Sequence, residues 1–215
     1  MPSRRNRVCV AVLAFAAAAT PAAAASQVTH DAAGRSITFD VRAGGADVAG
    51  YTSILSGLLH GAEISSVVIT VLPEPSVASE CGDAQAVACY RWSSRGDAAM
   101  FVPAVPATEV RAALTHEYGH HIDATRPHVT GARGLDGTPS WWGARGMADR
   151  LARGEVAWDY SRGWDHAIAE IYAEDYAVTN GAGMSGIRWL GDPPSAVQNA
   201  IRADLAGPVV AIPGS

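Results

Sequence analysis

Two histidines, His116 and His120, stand four residues apart in THEYGHHID, with Glu117 directly after the first. Residues spaced this way in an α-helix differ by about 40° around the axis, so both imidazoles project from one face, one turn apart. Two imidazoles so placed can share one tetrahedral ion. Glu117 lies about 100° further round. It is badly placed to join its neighbour as a ligand and well placed to reach a water on the ion. This is the H-E-x-x-H arrangement, two zinc ligands and a general base. The pattern needs a helix. Pro106 precedes one, Thr108 can cap it, and Pro127 disfavours its continuation past about Thr125. Gly119, inside that helix, costs about 1 kcal/mol against alanine. It makes sense where the helix passes close to another backbone, such as a sheet.

A catalytic zinc site usually takes three protein donors and keeps one position open. A helix capped by Asp165 and reading HAIAEIYAEDYAVT carries Glu170 and Glu174, again four apart on one face. Carboxylates on an otherwise apolar helix (Ile168, Ile171, Tyr172, Val178) need a partner if they face inward. An ion held by the two histidines supplies it. One carboxylate can bind the metal, and the other can take a hydrogen bond from the outer nitrogen of a ligand histidine. His121 points elsewhere than His120 and reads as a surface or supporting group. His128 follows a proline, and nothing favours it as a donor.

The remaining chain reads as an α+β domain. Strands are expected over Ser36–Arg42 and Ser65–Leu72, with an amphipathic helix between them ending near Gly61. The segments YRWSS and DAAMFVPAV read as a hairpin around Arg95-Gly96-Asp97. PEP stops the second strand, and a cysteine loop follows. A further helix is expected from Ser140 to Arg153, and a last one is capped by Asp192 with Pro193 in its first turn. Cys81 and Cys89 enclose a short turn-like stretch and read as a disulfide in an exported chain. The head supports export: Arg4, Arg5 and Arg7, a short apolar run and a small-residue region form a secretory signal over residues 1–25. Residues 26–215 then form a single domain. That part holds 13 arginines, no lysine and 21 acidic residues, a formal charge of −8. Such a surface argues against nucleic acid and against anionic membranes as partners.

HEYGHHID together with EIYAE resembles the gluzincin branch of zincin metallopeptidases, most closely the lethal-factor-like group, over roughly Val102 to Thr179. The resemblance implies a zincin-like catalytic domain: a small twisted sheet, an active-site helix and a glutamate helix behind it. It implies Zn2+ held by His116, His120 and Glu170, with Glu174 as the supporting carboxylate and Glu117 as the general base. Gluzincins often set a Tyr or His upstream to stabilise the oxyanion; here Tyr160 and His166 compete for that role. The metzincin pattern is absent, because Asp123 and Arg126 stand where its glycine and third histidine belong. Asp159 in WDY resembles the third ligand of aspzincins. The expected function is a secreted, monomeric zinc peptidase acting on a peptide or protein, with substrate added as a strand along the Ala98–Val102 edge. The alternatives are a non-catalytic module whose zinc is closed by His121, Asp123 or His166, a degenerate peptidase, and a hydrolase of a non-peptide amide. Trp141, Trp142, Trp158 and Trp164 can line a cleft or fill a core. Arg126, Arg133 and Arg145 can hold an acidic substrate or lie solvated, and Gly131, Gly134 and Gly137 can form a lid.

Overall fold

A computed structural model describes residues 25–92, 97–129 and 135–210. The expected signal segment up to Ala24, the hairpin tip at Arg95 and Gly96, and Arg133 with the glycines Gly131 and Gly134 lie outside the described residues.

The fold is mixed α+β around one five-stranded sheet. Its strands are β1 (Ala25–His30), β2 (Ser36–Val41), β3 (Val67–Leu72), β4 (Cys89–Trp92) and β5 (Ala98–Pro103), in spatial order β1-β2-β3-β5-β4. The three central strands run parallel, and each outer strand is antiparallel to its neighbour. SITFDV alternates as a half-buried strand should, with Ile37 and Phe39 fully buried. β5 sends Met100 and Val102 into the main core and Phe101 to the other face, where it packs with Leu72 and Val77.

Seven α-helices are found among the described residues: α1 (Val48–Gly57), α2 (Glu74–Cys81), α3 (Ala107–Ala124), α4 (Pro139–Arg145), α5 (Met147–Ala152), α6 (Ile168–Thr179) and α7 (Ser195–Leu205). The long helix α3 is buried along its second half and lies between the sheet side and α6. At Gly119 the two helices approach closely. A Cβ there would stand 2.9 Å from the Ala173 Cα and 3.2 Å from the Tyr176 ring. The backbone that this glycine accommodates therefore belongs to α6 and not to the sheet.

Several local expectations need correction. β5 is paired on both sides, so Ala98–Val102 is no edge; among the described residues the free edge on this side is β4. α2 occupies the stretch read as a strand stop and a loop, because Pro75 sits in a first turn, where a proline costs no hydrogen bond. The helix expected over Ser140–Arg153 breaks at Gly146, which adopts φ +67 and ends α4. α3 begins at Ala107 without Thr108 as its cap; the Asp47 carboxylate accepts instead from the Ala107 N–H. Asp165 does not cap α6 either: Trp164–His166 form a separate 3-10 turn, which puts His166 before the helix. Asp192 accepts from the Ser185 N–H, and α7 starts after Pro194. β1, a mostly exposed strand, is held by its pairing with β2 and by the Thr29–Thr52 hydroxyl bond to α1.

Cys81 and Cys89 form a disulfide that ties the end of α2 to the start of β4. Among the described residues no helix is long and apolar enough to cross a membrane.

Candidate metal centre

His116 and His120 leave α3 on the face turned to α6, and Glu170 meets them from the first turn of α6. Each offers one donor atom, and the three donors lie within 4.8 Å of one another. Glu170 Oε2 stands 3.0 Å from His116 Nε2 and 3.4 Å from His120 Nε2, and none of the three side chains is more than 12% exposed. Two imidazole nitrogens and a carboxylate oxygen converging on one point form a donor set that could hold a metal ion.

Glu174 completes the support. Its Oε1 accepts from His116 Nδ1 at 3.0 Å, and its Oε2 accepts from the Gly186 N–H at 2.7 Å. The outer nitrogen of His116 is thereby held, and Nε2 is turned toward the common point. Burial works against the His116 cation, but the bonds to Glu170 and Glu174 outweigh it and raise this imidazole to about 10. Burial likewise opposes the Glu170 anion, yet His120 and His116 hold its carboxyl far below the usual carboxylate range. Glu174 is lowered in the same sense by His116 and Gly186, again against burial. The imidazole and the two carboxylates thus favour each other's charged forms.

Glu117 lies beside the group, almost buried. Burial pushes its carboxyl up, while His116 and His120 pull the other way, as does the backbone N–H of Tyr90. The Tyr160 hydroxyl donates to Glu170 Oε1 at 2.6 Å. His166 is not brought to the group: its Nδ1 bonds the Glu155 carbonyl at 2.7 Å and its ring stacks on Trp189. Asp159 caps the turn at Ser161.

The residues that could have closed the site are engaged elsewhere. His121 is fully buried, contrary to a surface reading. Its Nε2 donates to the Glu63 carbonyl at 2.9 Å, which leaves Nδ1 to accept from the Tyr90 hydroxyl at 3.2 Å. Burial lowers this imidazole to about 4, so it stays neutral. Asp123 accepts from the Gly137 N–H, which holds that glycine inside the fold. His128 bonds the Asp123 carbonyl. Among the described residues no fourth His, Cys, Asp or Glu joins the three donors.

The donors instead open on a cavity of about 1160 Å3 lined by His116, Glu117, His120, Tyr160, Glu170 and Glu174. Trp164 is on its wall and stacks on His116 at 5.8 Å between centroids. The other tryptophans serve packing: Trp141 is buried with its Nε1 donating to Asp175, and Trp142 stacks on Trp158. Arg126 and Arg145 are neither solvated nor in the cleft; they are buried against Glu63 and Asp175. Sequence reasoning missed Tyr90. Its ring lies parallel to His120 at 6.4 Å and its hydroxyl reaches His121. The only advance signal was its position in a short strand next to a cysteine. Compared with known proteins, the chain matches no family model, no curated protein and no solved structure.

Proposed function

We propose that this chain is a secreted zinc-dependent peptidase of the zincin kind. The observation that carries the reading is the convergence of His116, His120 and Glu170 at an accessible cleft, with Glu117 beside them and no fourth protein donor among the described residues. A metal that only braced the fold would be closed by a fourth donor. The disulfide and the expected signal support export.

The donor set fits zinc, and His116, His120 and Glu170 would hold it. A zinc ion there supplies a Lewis acid and brings the pKa of a water down to about 7. Glu117, buried beside the donors, takes the proton from the attacking water and returns it to the leaving amine. Glu174 keeps His116 turned to the donor point throughout. Tyr160 stays protonated, because burial and the nearby Glu170 both raise its phenol. On leaving Glu170, its hydroxyl can donate to the oxyanion of the tetrahedral intermediate. Among the described residues the backbone of β4 has one unpaired edge, and Ala88 to Tyr90 line the cleft. An extended peptide adds there as a further strand.

The test is zinc analysis with a broad peptide-library assay on the wild type and Glu117→Gln. The expected result is one zinc in each and a rate roughly 10²–10⁴-fold lower in the variant. Activity that survives the substitution removes Glu117 as the base. Zinc without any cleavage in the wild type leaves the non-catalytic module.

A further inference from the structure

Next to the main cleft is a smaller cavity of about 230 Å3. Glu74, Gln85, Ala86, Val87 and Pro103 line both, so the two spaces share a wall. The smaller one is apolar at Val77, Ala84, Ala86, Val87 and Pro103, and Glu74 is the one ionisable group on it. Glu74 opens α2, where the positive end of the helix favours an anion. Its side chain is exposed, and among the described residues its carboxylate has no hydrogen-bond or ion-pair partner. The disulfide holds the walls together, since it joins α2 to β4 on either side of the stretch 82–88.

A small pocket that sets several apolar side chains beside one unpaired carboxylate discriminates among side chains. An acidic one is repelled. A purely aliphatic one makes no use of the carboxylate. A lysine or arginine lays its methylene stem along the apolar walls and brings its cation to the carboxylate, where the hydrogen bonds are charge-assisted. Among the described residues no arginine lines either cavity, the chain has no lysine, and Asp83 and Glu109 add further negative charge to the main cleft.

We propose that this side pocket takes a lysine or arginine side chain of a peptide lying in the main cleft, with Glu74 holding the cation. The inference rests on the peptidase reading for its substrate and on the pocket alone for its chemistry, so the two are tested apart. In a positional fluorogenic peptide library with the zinc-loaded protein, one position should favour Arg or Lys over norleucine by about threefold to fivefold, the range of an exposed ion pair. Glu74→Gln should bring that ratio close to one, and Glu74→Lys should turn the preference toward Glu. Glu74 is exposed, and a retained melting transition shows that each variant is folded. Separately, Nα-acetyl-arginine methylamide, followed by ligand-observed NMR against its norleucine counterpart, should bind the wild type and lose about threefold to fivefold on Glu74→Gln. If no peptide is cleaved but the arginine amide still binds through Glu74, the pocket stands and the peptidase reading falls. Equal binding to Glu74→Gln, or cleavage without a basic preference that depends on Glu74, overturns the pocket.

Discussion

One helix, α3, carries two polar clusters that answer opposite needs. Toward α6 it presents His116 and His120, which meet Glu170 and Glu174 beside a wide cleft. Elsewhere on its surface, Tyr118 and His121 join Glu63 and Arg126 in a sealed group. The Glu63–Arg126 pair is 2.9 Å long and essentially inaccessible to water. Glu63 Oε1 also accepts from the Gly61 N–H and the Tyr118 hydroxyl. The sealed group has its opposite charge built in. The open group has two carboxylates, two imidazoles and a third acid, Glu117, around a space that protein does not fill. The sealed group is closed by Arg126, while the open group, paired internally through His116, still faces the cleft.

The sharpest way to break this contrast is to remove the sealed cation. Arg126→Met keeps the bulk but strands Glu63 in the interior, which should cost about 3–5 kcal/mol of unfolding free energy in urea titrations. Adding Glu63→Gln to that variant should recover a large part of the loss. A loss near zero in the single variant would mean that the pair is not what closes this face. The open cluster should behave differently. Chelation should leave the chain folded but reduce its stability, since an ion bound at one hundred times its Kd contributes about 2.7 kcal/mol. His116→Ala should remove that increment and the bound zinc together, read by melting curves with and without added zinc. A chain that unfolds outright on chelation would move the open cluster to the architectural side.

A smaller effect is expected between the two helices. Gly119→Ala puts a methyl against the Ala173 backbone, and should destabilise by about 1–3 kcal/mol while weakening zinc binding, as calorimetry would read. Stability lost with zinc affinity unchanged would show that helix spacing does not control the donors. The smallest effect belongs to the link between the clusters. Tyr90→Phe deletes the hydroxyl that reaches His121 and keeps the ring parallel to His120, so about 0.5–1.5 kcal/mol should be lost with zinc retained.

Which parts were legible follows the same division. His116, His120, Glu170 and Glu174 could be paired from the sequence because helical periodicity is local, and four-residue spacings on two helices point to a shared face. The Glu63–Arg126 pair could not, because 63 residues separate the partners and a lone arginine in a polar stretch looks the same whether solvated or buried. Tyr160 and His166 were equal candidates on spacing. The two 3-10 turns over Tyr160–Arg162 and Trp164–His166 separate them, bringing Tyr160 to Glu170 and turning His166 toward Glu155. α2 was hidden because Pro75 reads as a breaker unless the helix start is already known. The edge assigned to β5 failed because strand order in a mixed sheet depends on crossovers that no local pattern encodes.

The bare backbone at Gly119 also acts as a gauge. α3 and α6 each bring donors to a single point, so the gap between their axes sets the bite of the jaw they form. Bulk added at 119 or at Ala173 would wedge that jaw wider with every donor still in place. Any enlargement on one helix would need an equal trimming on the other.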